Sequence, residues 1–247
     1  MTPHSSQPSA NAFRAPQWVA LDAVGTLIHP EPGVAEAYHA AASRHGSRLS
    51  AEDISLRFRT VYSEFEELPP HRADTSEERE LAKWREIVAR VIPDVTDPEQ
   101  CFEDLFEWFS HPGAWRVYPD VAEALVRLSA NGLQVALASN FDRRLHQVCD
   151  GLPALDQIGV RVVSSEVGWR KPSPGFYRAL VSQTGVDAGE IVMIGDSWLN
   201  DIAGAREAGL QALWLDRRCP TSTDRIPTLG MAVDEVLRRR HSPEGTK

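Results

Sequence analysis

Short apolar runs that alternate with helical patterns constrain the fold of this chain more than any other feature of its 247 residues. We predict strands at Trp18–Leu21, Leu133–Ala138, Val160–Ser164, Ile191–Ile194 and Ala212–Leu215. Between the later runs, apolar residues recur every three or four positions, which is typical of helices that bury one face. Strands separated by helices at this spacing form parallel βαβ units. The sequence therefore predicts an α/β protein with a doubly wound parallel sheet.

Local signals mark the ends of these helices. Asp120 and Glu123 predict a capping box at the start of one helix, and Asn131-Gly132 predicts its left-handed end. Ser173-Pro174 has the order expected for an N-cap followed by a first-turn proline. We expect a further helix to begin near Asn200.

The segment between Gly33 and Trp115 breaks the alternation, because it shows helical periodicity and no convincing strand. Its apolar residues fall on three helical faces, formed by Val34, Ala37, Tyr38 and Ala41, by Leu81, Trp84, Ile87, Val88 and Val91, and by Phe102, Leu105, Phe106 and Phe109. Joints rich in proline and glycine, HPEPG and SHPGAW, bracket it. We predict a disordered tail over residues 1–16, an α/β core over residues 17–32 and 115–247, and an inserted helical cap over residues 33–114. One continuous α/β domain with a helical flank is the alternative.

Composition limits the partners of the chain. A formal net charge of -9 argues against general nucleic-acid binding, which requires a basic face, so an anionic substrate must be held by local positive charge. Cys101, Cys149 and Cys219 are too far apart to predict a metal site or a disulfide framework, which favours the cytoplasm. No run approaches the ~18 apolar residues of a membrane span, and the first residues lack the pattern of a signal peptide. We expect a small anionic substrate and neither nucleic acid nor membrane as partner.

Polar residues follow the predicted strands. Asp22, Ser139-Asn140 and Asp196 come at strand ends, and Lys171 follows the third strand shortly after it ends. In open parallel sheets such residues meet at one edge, and Asp201 lies on the turn below. Carboxylates crowded together raise each other's pKa unless a cation lies among them, and an all-oxygen site suits Mg²⁺.

This arrangement predicts phosphoryl chemistry. Lys171 and Ser139 could hold phosphate oxygens, which leaves Asp22 to attack phosphorus and form an aspartyl-phosphate. The alternatives are structural: Asp22 could cap its turn, and Asp201 could be the N-cap of its own helix.

Four motifs resemble those of the haloacid dehalogenase-like hydrolase superfamily: DAVGTL from Asp22, ALASN ending at Asn140, RKPSPGFY around Lys171 and IGDSWLNDIAGAREAG around Asp196. Their order and spacing match that family over nearly all of residues 18–216. The helical segment resembles the family's α-helical cap. SNFDRRL and FSHPGAWRVYPD resemble its rhythmically-expressed-gene-like subgroup.

The resemblance implies a Mg²⁺-dependent hydrolase and a role for each motif residue. By this resemblance, Asp22 is the nucleophile, and Asp22, Asp196 and the backbone carbonyl of Val24 are Mg²⁺ ligands that Asp201 supports. The residues implied to bind the substrate are Ser139, Asn140 and Lys171. Ser139 and Lys171 are also implied to take part in catalysis.

Val24 departs from the pattern of the family's phosphatases, which carry an aspartate two residues after the nucleophile. That aspartate protonates the leaving alcohol and then deprotonates the attacking water, and a valine can do neither. Losing a positioned acid/base typically costs ~10²–10⁴ in rate, although acyl and aryl phosphates suffer less in the first step. We therefore predict a weak phosphohydrolase whose intermediate accumulates. His29 is a candidate substitute proton carrier, with a hinge role as the favoured interpretation.

Two other functions stay open. A 2-haloacid dehalogenase needs no metal and no proton for the departing halide, but those enzymes lack the acidic pair represented here by Asp196 and Asp201. A non-catalytic metal- or partner-binding protein is the second alternative. Arg143-Arg144 could then bind a partner, although an exposed basic helix start is the favoured interpretation. Three tryptophans near the motifs are expected to pack in the core or hinge: Trp115, Trp169 and Trp198.

Overall fold

The structure is a computed structural model that describes residues 14–66, 74–218 and 224–241. Cys219 and most of the predicted tail over residues 1–16 lie outside the described residues. The strands in chain order are β1 (Trp18–Leu21), β2 (Ile28–Pro30), β3 (Trp115–Val117), β4 (Gln134–Ser139), β5 (Val160–Val163), β6 (Ile191–Gly195) and β7 (Gln211–Trp214). The α-helices are α1 (Val34–Arg44), α2 (Ala51–Glu66), α3 (Glu77–Val91), α4 (Pro98–Trp108), α5 (Val121–Ala130), α6 (Arg144–Asp150), α7 (Ser164–Val167), α8 (Pro174–Thr184), α9 (Gly204–Glu207) and α10 (Leu229–His241).

Five strands form one parallel sheet in the order β5-β4-β1-β6-β7, which confirms the predicted α/β class. The predicted strands differ from the observed ones by at most one residue at either end. In the central strand, Leu21 pairs with Leu137 of β4 and with Ile194 of β6. The carboxyl ends of these three strands therefore lie side by side, which is where ligands bind in open α/β sheets.

Alternate residues of β1 pack on opposite faces of the sheet. Val19 and Leu21 belong to the cluster that includes residues of α5, α6 and α10, whereas Ala20 belongs to the cluster with residues of α8 and α9. Side chains along a strand point to the two faces in turn, so helices on both faces bury Val19, Ala20 and Leu21 and partly bury Trp18. This double burial explains why the run WVAL is apolar throughout.

Two predicted helix ends are confirmed. The hydroxyl of Ser173 accepts a hydrogen bond from Gly175 N at 3.2 Å and caps α8. Gly132, just after α5, has a φ of 69°, the left-handed conformation that a glycine adopts without strain.

The predicted capping box of Asp120 and Glu123 is wrong. The Asp120 side chain makes no capping hydrogen bond to α5. Its carboxylate accepts hydrogen bonds from the Arg217 guanidinium at 2.9 and 3.1 Å and from Leu229 N at 2.8 Å. These partners lie 97 and 109 positions away, so a local motif could not reveal them.

The helix after β6 begins earlier than the predicted start near Asn200. It opens as a π-helix over Trp198–Ala203, and the hydroxyl of Ser197 accepts a hydrogen bond from Asn200 N at 3.3 Å as its N-cap. The N–H of Gly204 donates to the carbonyl of Leu199, five residues back, before the chain continues into α9. A π-turn holds one more residue than an α-turn, and such turns are frequent at functional sites.

Helices α1–α4 bury a third apolar cluster, separate from the two clusters of the sheet. The chain enters this helical segment after β2 and leaves it before β3, and these strands pair antiparallel with His29 opposite Arg116. Both observations support a cap over residues 33–114, and this division of the chain stays our proposal. Within the described residues, no helix is both long and apolar enough to cross a membrane.

The contacts of Asp120 predict a measurable stability effect. Asp120→Asn removes the charge that faces Arg217, and hydrogen bonds to charged groups contribute about 1.5–3 kcal/mol. We expect the free energy of unfolding, measured by urea denaturation, to fall by about 1–3 kcal/mol.

The loss should depend on pH. Burial raises the pKa of Asp120, but the hydrogen bonds from Arg217 and Leu229 N outweigh it and hold the pKa below its ordinary value of 3.8. The stabilisation is complete above that value and is lost as the pH falls through the folded pKa, so the variant should differ from wild type down to about pH 4 and approach it only at lower pH. Asp234→Asn breaks a more exposed pair with Arg127 and should cost less than about 1 kcal/mol. Equal losses for the two variants would contradict this account.

Candidate active site

The carboxyl edge of the sheet brings the predicted site residues to one cavity of about 390 Å³. Asp22 directly follows β1, and its N–H donates to the carbonyl of Ile194 in β6 at 3.0 Å. Ser139 is the last residue of β4 and is buried. Asp196 follows β6. All three site side chains line the cavity, as their positions at strand ends predict.

Lys171 joins the strand ends. Its ammonium nitrogen donates to Asp22 Oδ1 at 2.7 Å, to Asp201 Oδ1 at 2.6 Å and to the carbonyl of Ala138 in β4 at 2.7 Å. Only 2% of its side chain is exposed. A charge buried this deeply requires partners, and these three contacts satisfy all three N–H donors of the ammonium.

Asn140 holds the backbone of Lys171. The side-chain amide of Asn140 donates to the carbonyl of Lys171 at 3.0 Å and accepts from its N–H at 2.7 Å. This pair of bonds engages both ends of the amide. The structure therefore gives Asn140 a positioning contact with Lys171, where the sequence predicted substrate binding.

Asp201 lies in the π-helix beneath the site and is 1% exposed. Its second oxygen, Oδ2, accepts a hydrogen bond from Ser197 N at 3.0 Å. The N-cap of this helix is Ser197, so the alternative that Asp201 caps its own helix is wrong. A Cβ on Gly195 would lie 2.2 Å from the Asp201 carboxyl carbon, so only glycine allows this approach.

Asp196 lies at the open side of the cluster and remains accessible to solvent. A Cβ added to Gly25 would lie 2.3 Å from Asp196 Oδ2, and Gly25 has a φ of 87°. Both the close approach and the left-handed backbone require glycine in this turn. The two site glycines thus make room for the two carboxylates of the fourth motif.

Crowding sets the electrostatics of the cluster. Burial raises the pKa of Asp22 to about 7, with Lys171 lowering it and the charges of Asp201 and Asp196 raising it again. Partial burial and the charge of Asp201 raise the pKa of Asp196 to about 6, against the effect of Lys171. Burial lowers the pKa of Lys171, but Asp201 and Asp22 outweigh it, so the ammonium stays protonated. Three carboxylates around one ammonium leave two negative charges uncompensated.

These residues fit a divalent metal ion. One oxygen from each of Asp22, Asp196 and Asp201 lies within 4.8 Å of the others. Carboxylate oxygens are the donors that Mg²⁺ prefers, and a cation among them would relieve their repulsion. Both oxygens of Asp201 are engaged, by Lys171 and by Ser197 N. Asp22 and Asp196 are therefore better placed as ligands, and Asp201 as their support.

Val24 lines the same cavity as Asp22, and 36% of it is exposed. It offers an aliphatic side chain where an acid/base group would act. His29 lies on β2 and is not among the lining residues. Its ring packs against Tyr118 with 4.7 Å between centroids, and its Nδ1 lies 3.2 Å from the carbonyl of Pro30. These contacts agree with the hinge role favoured for His29.

The cap supplies an aromatic wall that the sequence analysis did not assign to the site. The lining aromatic residues of the helical segment are Tyr38, Phe58, Tyr62, Trp84 and Phe109. Three of them, Tyr38, Trp84 and Phe109, lie on the apolar helical faces of the sequence, and such faces normally predict residues buried in a hydrophobic core. The large number of aromatic residues in this small helical segment is the one sequence signal that could have indicated a cavity lined with rings.

Arg144 is not part of an exposed basic helix start, as the favoured interpretation had it. Its guanidinium makes a bidentate pair with Asp142 at 2.7 and 2.8 Å, donates to the carbonyl of Phe106 and is 10% exposed. Arg143 pairs with Glu77 of α3 at 2.9 Å. Both arginines therefore connect the core to the helical segment.

The three tryptophans differ in their surroundings. Trp115 is buried and lines the cavity. Trp169 packs over Gly175, where a Cβ would lie 2.4 Å from its ring. Trp198 is half exposed and packs against Trp214, with 5.0 Å between ring centroids. Of the three, Trp115 packs in the core, as expected, and also lines the cavity.

Known proteins are similar to this chain in sequence. A model of the haloacid dehalogenase-like hydrolase family matches residues 16–209. Haloacid dehalogenase-like hydrolase domain-containing protein 3 of Danio rerio is 28% identical over 207 residues, 82% of this chain and 86% of the relative. A phosphoglycolate phosphatase of Yersinia pseudotuberculosis is 28% identical over 206 residues, 82% of each chain.

Solved structures show the same fold at low identity. The HAD-hydrolase YfnB from Bacillus subtilis, bound to magnesium, has a TM-score of 0.74 at 14% identity and covers 91% of this chain and 100% of its own. The defluorinating L-2-haloacid dehalogenase Rha0230 has a TM-score of 0.73 at 18% identity and covers 92% and 97%. The family model spans every strand-end residue described above. The chain belongs to the haloacid dehalogenase-like hydrolase family.

Proposed function

We propose that this protein is a Mg²⁺-dependent phosphohydrolase that acts through an aspartyl-phosphate on Asp22. The observation that carries the proposal is the contact of Asp22 with the buried ammonium of Lys171 inside a cluster of three carboxylates. A carboxylate held in this way is oriented for attack, and the cluster has the donors for a metal that accepts phosphate oxygens. The phosphatases among its relatives support the same reaction class.

The proposed reaction has two steps. Lys171 holds Asp22 Oδ1, so the other carboxylate oxygen forms a bond to phosphorus while the bond to the leaving oxygen breaks. The leaving group departs with that electron pair. Water then attacks the phosphorus of the aspartyl-phosphate, which releases inorganic phosphate, restores the carboxylate and sends a proton to solvent. Ser139 binds a phosphoryl oxygen as a hydroxyl donor. Lys171, whose three N–H groups are engaged by Asp22, Asp201 and Ala138, contributes the positive charge that stabilises the phosphoryl oxygens.

Asp22, Asp196 and the backbone carbonyl of Val24 would hold Mg²⁺, with Asp201 in support. When bound, the metal supplies positive charge that stabilises the phosphoryl oxygens and offsets the repulsion of the carboxylates. Lys171 keeps Asp22 oriented, and the glycines at 25 and 195 leave room for the carboxylates that surround it.

Val24 limits the proposed activity. With an aliphatic side chain at this position, neither the leaving oxygen nor the attacking water meets a proton carrier there. Acyl and aryl leaving groups depart without protonation, so they are the favoured substrates. A halide also departs without a proton, but it needs no metal, and the acidic cluster of Asp22, Asp196 and Asp201 favours phosphoryl transfer.

Hydrolysis of acetyl phosphate tests the proposal, since its leaving group needs no proton. We expect Mg²⁺-dependent release of phosphate by wild type and a loss of at least ~10³ for Asp22→Asn, which keeps the shape but removes the nucleophile. Asp234→Asn, at an exposed surface pair, is the matched control. Inactivity of wild type towards acetyl phosphate would instead favour a binding protein that retains the fold.

Restoring the missing carboxylate should change the substrate range. For Val24→Asp we expect kcat/KM on an alkyl phosphate such as glycerol 3-phosphate to rise by about 10²-fold, within the range that one acid/base group contributes. The rise on acetyl phosphate should be smaller, because kcat/KM reports the step in which the leaving group departs, and this leaving group needs no proton. Equal changes on both substrates would show that position 24 does not protonate the leaving group.

The aspartyl-phosphate should accumulate in wild type, because water attacks it without a base at position 24. Acid quenching during turnover, followed by mass spectrometry of peptides, should find a phosphoryl group on Asp22. In Val24→Asp the phosphorylated fraction should fall, since the second step becomes faster. A steady state without detectable adduct would mean that the first step limits the rate.

The affinity of the site for Mg²⁺ should decrease as the pH is lowered. Without metal, burial and crowding raise the pKa of Asp22 to about 7 and that of Asp196 to about 6, so protons compete with the cation. Carboxylates with a raised pKa lower the free energy of unfolding as the pH rises, because they are then charged in the folded state. Bound Mg²⁺ should offset this loss of stability most at about pH 8. Calorimetry at about pH 8 and pH 6 should show weaker binding at the lower pH. Asp196→Asn should bind less tightly at both, whereas pH-independent binding would exclude these carboxylates as ligands.

A further inference from the structure

We propose that the substrate is an organic monophosphate whose leaving group carries a flat, uncharged aromatic ring. The inference rests on the proposed function and adds the chemical class of the leaving group. Its basis is the set of aromatic rings that the helical segment contributes to the lining of the cavity.

Six of the lining side chains form a continuous series of ring contacts, which we call the aromatic arc. It consists of Trp84, Tyr62, Phe58, Tyr38, Phe109 and Trp115. Neighbouring ring centroids in this order lie 6.0, 5.3, 5.3, 6.3 and 5.9 Å apart. Aromatic rings at such separations attract one another and offer a further ring both faces and edges to pack against.

The arc and the carboxylates line one continuous space. The same cavity is lined by Asp22, Ser139 and Lys171 of the core and by all six rings of the arc, five of which belong to the helical segment. Its volume of about 390 Å³ falls in the range of pockets that enclose a small organic ligand. A molecule with its phosphoryl group on Asp22 would therefore place its leaving group against the arc.

In the described part of the chain, no residue that lines the cavity offers an unpaired cation to a second anionic group. Among the lining residues that the structure describes, Lys171 and Arg144 carry the positive charges, and both are already paired. Lys171 binds Asp22 and Asp201, and Arg144 makes a bidentate pair with Asp142. A carboxylate on the leaving group would lose its hydration without gaining an ion pair, which is unfavourable in an apolar pocket.

Among the described residues of the helical segment that line the cavity, the charged one is Glu66, which is anionic. Glu66, at the end of α2, accepts hydrogen bonds from Arg170 at 2.6 Å and from Asn200 at 3.2 Å. Its carboxylate would repel a second anionic group in the substrate. The pocket is thus matched to a neutral ring and unsuited to the charged leaving group of a substrate such as phosphoglycolate.

Three acyl phosphates with leaving groups of similar basicity separate ring recognition from leaving-group chemistry. They are acetyl phosphate, benzoyl phosphate and 4-carboxybenzoyl phosphate, each assayed with the full chain and Mg²⁺. We expect kcat/KM for benzoyl phosphate to exceed that for acetyl phosphate by about tenfold or more, from the packing of one ring on the arc. The added carboxylate should lower kcat/KM by about tenfold.

Variants on one helix locate the effect. Phe58→Leu removes a ring of the arc at similar volume and should lower the benzoyl-to-acetyl ratio of kcat/KM by about 3- to 10-fold. Phe65→Leu is the matched control, because Phe65 is equally half buried on α2 but does not line the cavity. The ratio for this control should equal that of wild type.

Binding of benzylphosphonate and methylphosphonate, measured by calorimetry with Mg²⁺, gives a readout without turnover. We expect the benzyl compound to bind about tenfold more tightly. Equal kcat/KM for the three acyl phosphates would overturn the aromatic preference and leave the phosphohydrolase standing. No hydrolysis of any of them, with tighter benzylphosphonate binding, would overturn the phosphohydrolase and keep the aromatic site. Equal or absent phosphonate binding would overturn the aromatic site.

Discussion

The buried ammonium of Lys171 is the interaction on which the rest of the site depends. It connects Asp22 after β1, Ala138 in β4 and Asp201 beyond β6, so one side chain ties together the ends of three adjacent strands. An unpaired carboxylate or ammonium at this depth would cost several kcal/mol, which strongly disfavours any arrangement that separates them. The two site glycines serve the same arrangement, because a Cβ at either position would push a carboxylate out of the cluster.

Val24 and the aromatic arc act on the same reaction from opposite ends. At the carboxylate end, an aliphatic side chain removes the proton carrier on which a poor leaving group depends. On the cap side, the cavity is lined mainly by aromatic rings, which we propose to recognise an uncharged ring of the substrate. Asp22, the proposed nucleophile, keeps its contact with Lys171 beside both features. The site therefore has the geometry of a reactive centre combined with narrow demands on the leaving group.

The residues of the site were predictable to different degrees. Strands buried on both faces appear as apolar runs in any context, so the five strands and the strand-end positions of Asp22 and Asp196 could be read locally. Partners distant in sequence could not, and for this reason the capping box at Asp120 was wrong. Arg144 pairs with nearby Asp142, but its contact with Phe106 of the helical segment, 38 positions away, is not visible in a local pattern. The role of Asn140 on the Lys171 backbone also depends on a contact across 31 positions. Rings that line a cavity show the same periodicity as rings in a core, which concealed the arc.

The π-turn between Trp198 and Ala203 makes this part of the chain sensitive to length. Its extra residue allows consecutive side chains, Asn200 and Asp201, both to be buried, one reaching Glu66 in the cap and the other Lys171 in the core. In an α-helix each residue is turned by about 100° from the last, so a one-residue deletion here would swing one of the two away from its partner. Loops beside an active site usually tolerate insertions and deletions. In this turn, by contrast, we expect a change in the number of residues to be tolerated less well than a substitution.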